Sequence, residues 1–174
     1  MLKKEKFESI LEELSTLYNE TYIPLIHQYG IIDLVKFRGF DITVRTYNPD
    51  YTNIRILSEL LNRELQIIDN YCFCTAKGID WQMLNKPDLH NKYTEQLDEY
   101  AVSQIIKICD SINNFKLGIV FSERGINIHI PMDSNKLYKL LDSIDNIKTI
   151  KECLISGDVV FKFYYKDIDI CITK

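Results

Sequence analysis

Hydrophobic and polar residues alternate along this chain with two periods, and the switch between them marks out its elements. From Lys3 to about Gln28, Phe7, Ile10, Leu11, Leu14, Leu17 and Tyr18 recur at the spacing of one helix face, with Glu, Lys and Ser between them. The pattern predicts an amphipathic helix ending near Gly30 and bent or interrupted around Pro24, which lacks the backbone donor a helix interior needs. A second helix is marked by Ile54, Leu57, Leu61, Leu65 and Ile68, after the break at Asn48-Pro49-Asp50. A third, long helix is marked by Tyr93, Leu97, Ala101, Ile105, Ile108 and Ile112 and closed by Asn113-Asn114. A fourth begins at Ser134 as N-cap, carries Leu137, Leu140, Leu141 and Ile144 on one face, and continues loosely to Leu154 before Ser156-Gly157 breaks it.

Between the helices the period falls to two, and one short pattern returns four times. Arg38-Gly39-Phe40-Asp41-Ile42-Thr43-Val44, Lys77-Gly78-Ile79-Asp80-Trp81-Gln82-Met83, Arg124-Gly125-Ile126-Asn127-Ile128-His129-Ile130 and Lys166-Asp167-Ile168-Asp169-Ile170-Cys171-Ile172 each read as a base, a turn residue and an apolar/polar alternation. Each is the far arm of a β-hairpin, in which the turn residue supplies the permissive backbone and the alternation gives one buried and one exposed face. The near arms run from Ile32, from Leu117 to Phe121 and from Val159 to Tyr165, while the stretch Ile67 to Cys74 either finishes the second helix or begins the near arm of the second hairpin.

The resulting order, helix, hairpin, helix, hairpin, occurs twice. Gly39 maps to Gly125 at an offset of 86, and Gly78 to Asp167 at an offset of 89. The expected fold is therefore α+β, a single domain over 1–174 made of two duplicated α-ββ-α-ββ units, about 1–86 and 87–174, joined by the loop-like run Asn85 to Asn91. Its hairpins form an antiparallel sheet, or two abutting sheets, with the helices packed on one face. This order resembles that of secretion-chaperone-like α+β folds, and the resemblance implies a role in binding segments of other proteins.

Composition narrows the functional classes. A formal charge of −4 and a pI near 5.4 supply no overall electrostatic footprint for a phosphate backbone, so direct nucleic-acid contact is not expected. No apolar run follows the lysines near the N-terminus, because Glu8, Glu12 and Glu13 interrupt it; neither a signal peptide nor a membrane span is expected, and the location is cytoplasmic. The five cysteines are odd in number and irregular in spacing, which argues against a disulfide framework. The chain holds 26 Ile, 16 Lys and 12 Asn against 2 Ala and 5 Arg, a skew that points to an AT-rich genome.

Candidate chemistry is sparse. No Gly-x-Gly-x-x-Gly run or Walker-type Gly-Lys-Ser/Thr is present, so no cofactor is expected. His27, His90 and His129 are isolated, and Cys72-Phe73-Cys74 lacks the second pair of ligands that a soft metal site wants, so no metal is expected either. Cys72 and Cys74 read as buried apolar thiols. In the far arms the apolar places Phe40, Ile42, Val44, Ile79, Trp81, Met83, Ile126, Ile128, Ile130, Ile168, Ile170 and Ile172 point inward. The outward places are Asp41, Thr43, Arg45, Asp80, Gln82, Asn127, His129, Asp169 and Cys171, and in a continuous sheet they share one mildly acidic polar face. In Phe161 to Lys166 the same alternation turns Phe161, Phe163 and Tyr165 inward and Lys162, Tyr164 and Lys166 to water. Among the eleven tyrosines, Tyr47, Tyr51, Tyr93, Tyr100 and Tyr164 are the expected exposed ones, and exposed tyrosine is enriched where proteins bind one another.

The leading expectation is a non-catalytic macromolecule-binding protein: an inhibitor or adaptor of phage or mobile-element type, anti-defence or immunity-like, whose partner is another protein or a ribonucleoprotein. Its binding surface is Asp41, Thr43, Arg45, Asp80, Gln82, Asn127, His129 and Asp169 with Lys162 and Tyr164. Two alternatives stand beside it. One is a small nucleotide- or nucleic-acid-processing enzyme that gathers Asp41, Asp80, His129 and Asp169 in a cleft between the halves; the other is a single-strand nucleic-acid module using the last hairpin.

Overall fold

A computed structural model of the chain describes residues 2–47, 51–68, 71–84 and 97–174, with backbone only at 51–53 and 148. The first amphipathic pattern folds as α1, Lys4–Thr16, a π-helical segment, Leu17–Tyr22, and α2, Ile23–Tyr29. The wide turns end where Pro24 enters the first turn of α2, so the residue that cannot donate in a helix interior occupies a helix start. Gly30 closes α2 in the left-handed conformation, φ 65°, and its N–H donates to the Ile26 carbonyl. Helix α3, Tyr51–Leu61, is shorter than expected: the chain turns at Asn62, φ 51°, so Leu65 lies in the turn and Ile68 in a short strand, β3, Gln66–Ile68. Helix α4 is Glu99–Asn114, opened by Asp98, whose carboxylate accepts from the Ala101 N–H at 2.8 Å. The expected junction Asn85 to Asn91, His90 and Tyr93 lie outside the described residues.

The four hairpins form. The first pairs β1, Ile31–Lys36, with β2, Ile42–Tyr47; the second pairs β4, Tyr71–Ala76, with β5, Ile79–Leu84. The third pairs β6, Gly118–Ser122, with β7, Gly125–His129; the last pairs β9, Asp158–Tyr165, with β10, Ile168–Thr173. The turn pairs Lys77-Gly78 and Lys166-Asp167 both hold two successive positive-φ residues, the backbone that matches the twist of a tight hairpin; at the last one Lys and Asp adopt it without any glycine.

Two expectations for the second half are corrected. Helix α5 is Ser134–Asp142, and its N-cap is Asp133, one residue earlier than Ser134: the carboxylate accepts from the N–H groups of Asn135 and Lys136. Nor does helix continue to Leu154. Lys148–Ile155 is a strand, β8, joined to β9 through Ser156 and Gly157, both at positive φ. Ile144, Ile147, Ile150 and Leu154 imitate helical spacing, yet the chain has already left α5 at Ser143.

All ten strands join one continuous sheet in the order β3-β4-β5-β2-β1-β6-β7-β10-β9-β8. It is mixed, where an antiparallel sheet was expected: β2 pairs with β5, and β7 with β10, in parallel. In each half it is the far arm of the second hairpin that docks on the far arm of the first, and a parallel pair follows from that choice. Outward from the central antiparallel pair β1–β6, the strands run β2, β5, β4, β3 on one side and β7, β10, β9, β8 on the other. The two halves thus share a topology, which by itself does not establish a duplication.

One core lies on one side of the sheet. Phe7, Leu11, Leu14 and Tyr22 from the N-terminal helix, Leu57 and Leu61 from α3, Ile105 and Ile108 from α4, and Leu137 and Leu141 from α5 pack with the inward strand residues in a single buried cluster. Of the expected inward places, Ile42, Val44 and all nine in the other three far arms are buried, and Trp81 and Ile128 have no exposed surface. Phe40 is the exception, at 71% exposed, because β2 starts only at Ile42 and Phe40 belongs to the turn. Tyr18 and Tyr22 fasten the π-helical segment to the centre of the sheet: the Tyr18 hydroxyl donates to the Ser122 carbonyl at 2.7 Å, and that of Tyr22 to the carbonyls of Ile32 and Phe121, each at 3.2 Å. Helix α1 is tied to the last hairpin through Glu12, which accepts from the Tyr165 hydroxyl at 2.9 Å and from the Lys166 ammonium.

Candidate functional site

The other side of the sheet carries no helix among the described residues. Cross-strand register turns its alternating outward places into rows. The longest runs Thr75, Asp80, Thr43, Val35, Val120, Asn127, Cys171, Lys162, Lys151 across nine of the ten strands, each residue opposite the next. A second row runs Gln66, Phe73, Gln82, Arg45, Asp33, Ser122, Gly125. The outward residues of different hairpins therefore lie on one surface, and the two central strands between the far arms contribute valines to it.

Two depressions dent this face, one in each half. Asp41, Thr43, Asp80 and Gln82 line the first, together with Phe40, Phe73 and Thr75, around a space of about 620 Å³. There the Gln82 amide donates to the Asp80 carboxylate at 3.0 Å. Asn127, Asp169 and Lys162 line the second, about 340 Å³, with Arg124 and Ser122 at its rim. Tyr164 stands opposite Asp169 and is exposed. Lys162 and Lys166 are exposed as well, whereas Phe161, Phe163 and Tyr165 are buried, as the alternation of the last hairpin requires.

Arg45 and His129 are placed differently from the rest. A bulge in β1 between Ile31 and Asp33 turns Asp33 onto the open face, where it meets Arg45 across the β1–β2 pair. The Arg45 Nε donates to both carboxylate oxygens, at 2.8 and 3.0 Å, and Nη2 adds a further bond, a forked arrangement that raises the guanidinium pKa through the Asp33 hydrogen bonds. This pairing was not legible in the sequence, since nothing in the alternation marks the bulge. His129 lies at the strand-end rim, its ring 5.7 Å from that of Phe37 and its Nδ1 3.5 Å from the Thr173 hydroxyl.

Asp80 on β5 and Asp169 on β10 are five strands apart, roughly 24 Å at the usual strand spacing, so these carboxylates do not converge. Among the described residues no group of three or more His, Cys, Asp or Glu side chains is arranged to hold a metal ion. Cys72 and Cys74 do share one side of β4, but it is the core side, where burial pushes the Cys74 thiol up to about 11. His27 is exposed at the end of α2.

Of the tyrosines expected at the surface, Tyr100 is exposed on α4, away from the open face, and Tyr47 is half-buried; the side chain of Tyr51 lies outside the described residues. Tyr71 and Phe73, outward on β4, were missed. The alternation with Cys72, Cys74 and Ala76 would have found them once the start of that strand was fixed.

No protein-family model matches the chain, and no curated protein matches it in sequence. No helix among the described residues is long and apolar enough to cross a membrane.

Proposed function

We propose that this chain is a non-catalytic binding protein whose open sheet face receives another protein. The observation that carries the reading is the nine-strand row: it extends about 38 Å, enough for an interface of ordinary size, with roughly 800 Å² on each partner. Val35, Val120 and Phe73 give the face partly exposed apolar ground, and the polar and charged groups around them set register. Charge is divided along it. Asp41 and Asp80 line the first depression, while in the second Arg124 and Lys162 outnumber Asp169, and Lys151 stands beside Lys162 in the row. The complementary partner offers basic groups to one half and acidic groups to the other. The wide separation of Asp80 and Asp169 favours this reading over hydrolytic chemistry in a cleft. The residue usage of an AT-rich genome is what motivates the narrower proposal, an inhibitor or adaptor of phage or mobile-element type with an anti-defence or immunity-like role in the cytoplasm.

The test uses three forms of the chain: the wild type, a double variant Thr43→Arg with Asn127→Arg in the long row, and Lys107→Glu on the exposed side of α4. Each is cross-linked in an extract of the source organism, and any partner recovered is then reconstituted and passed over a sizing column. A partner that the wild type and Lys107→Glu hold and the double variant loses supports the proposal. Absence of a stable complex, or equal retention by all three forms, overturns it.

A further inference from the structure

A further cavity lies elsewhere, at the rim where β1 ends and β6 begins, with a volume of about 850 Å³. Four cationic side chains line it: Lys36 at the end of β1, Arg38 in the following turn, Lys116 after α4, and Lys174. In a chain of net charge −4 this local excess is unexpected. The one carboxylate side chain in the lining, Asp133, already accepts two backbone N–H groups as the cap of α5.

Lys36 sharpens the point. It is 8% exposed, and its ammonium donates to the Asn113 side-chain oxygen at the end of α4. Among the described residues it forms no ion pair, although an ammonium has three protons to donate and burial without a counter-charge is costly. A buried cation whose partner among the described residues is a neutral amide, beside a cavity of ligand size, wants an anion from outside. The cations exceed what a single carboxylate neutralises, which favours the dianionic charge and several acceptor oxygens of a phosphate. Besides Asn113 and two glycines, the wall holds Leu117, Pro131, Met132 and His129, an apolar and aromatic stretch. Gly118 keeps that wall in place, since a Cβ there would lie 2.9 Å from the Cβ of His129.

We infer that this rim cavity binds a small organic phosphate, with the phosphate on Lys36, Arg38 and Lys116 and an apolar or planar body against Leu117, Met132 and His129. The site is independent of the open-face docking proposed above and is tested without a protein partner.

The experiment titrates the full chain, at physiological ionic strength, with adenosine monophosphate, flavin mononucleotide and glucose 6-phosphate, and with inorganic phosphate and citrate as comparators. Heat of binding and melting temperature are the readouts. At least one organic phosphate is expected to raise the melting temperature and to bind about tenfold or more tightly than either comparator. Arg38→Ala and Lys116→Ala, both at exposed positions outside the core, each weaken it about tenfold or more, the loss expected of a charge-assisted contact. Lys36→Met gives a loss at least as large if it folds, which circular dichroism checks. Failure of all three organic phosphates at millimolar concentration overturns the inference, as does equal binding of inorganic phosphate or citrate, or wild-type affinity in both exposed variants.

Discussion

Arg45 grips the carboxylate of Asp33 through a fork of hydrogen bonds across the first hairpin, and the acid is nearly buried while the base is about half exposed. The two ends of the pair are therefore unequal. Removing the base strands a buried charge, whereas removing both leaves only a polar gap.

Arg45→Ala is expected to cost about 2 to 3 kcal/mol of unfolding free energy, below the range for fully buried pairs because Arg45 still meets water. Asp33→Asn combined with Arg45→Gln recovers most of that loss. Urea titrations of the two variants against the parent protein measure the difference, and equal losses would show that the pair is not coupled.

Gly125 predicts a sharper effect. Its φ is 143°, and a Cβ built there would lie 2.1 Å from the Asp169 carbonyl oxygen, on the strand that pairs with β7 in parallel. Backbone blocks it, so no side chain can rotate out of the way. Gly125→Ala should destabilise by at least about 2 kcal/mol. Gly39→Ala, where no atom lies within 4 Å, serves as the comparison and should cost less, through backbone strain alone.

Acid stability should depend on Glu12. Hydrogen bonds from Lys166 and then Tyr165 hold its carboxyl below the ordinary value of 4.5. A carboxyl depressed in the folded state stabilises above its unfolded value and ceases to do so as the pH falls through the folded one. The stability gap between wild type and Glu12→Gln is thus full above pH 4.5 and closes below it, which denaturation at a series of pH values reads directly.

The alkaline side belongs to the tyrosines of the π-helical segment. Burial, with Glu123 and Asp169 adding to it, pushes Tyr18 from 10.0 up to about 12, and Tyr22 is raised further by burial and then by Asp33. Their neutral forms stabilise the fold below pH 10, and that contribution is lost as the pH rises toward 12 and the unfolded chain ionises first. Tyr18→Phe should flatten this loss while forfeiting the hydrogen bond to Ser122, at about 1 kcal/mol near neutral pH. A shallower fall in melting temperature above pH 10 in the variant is the outcome to look for.

Periodicity carried the sequence reading a long way and failed where the reasons are physical. Alternation with a turn residue identified all four hairpins and the buried sets around Trp81, Ile128 and Ile170, because a one-residue slip would have turned those side chains to solvent. It could not choose strand partners, so the parallel joins β2–β5 and β7–β10 were not visible. Nor could it separate β8 from helix, since Ile147, Ile150 and Leu154 are spaced three and four residues apart, as on one helix face. At the candidate surfaces, the far-arm residues were legible as outward, but the β1 bulge that sets Asp33 against Arg45 was not. The rim cations come from three parts of the sequence, 36 and 38, 116, and 174, which meet because β1, β6, β7 and β10 are successive neighbours in the sheet.

That neighbourhood has a mechanical meaning. The β1–β6 pair is the seam along which the two halves are zipped, and each half without the other would end in a bare strand whose amide and carbonyl groups face water unpaired. A fragment holding only one half would be driven to cover that strand with whatever extended chain it met, a second copy included. Integrity of the whole chain is therefore also the protein's defence against aggregating through its own middle.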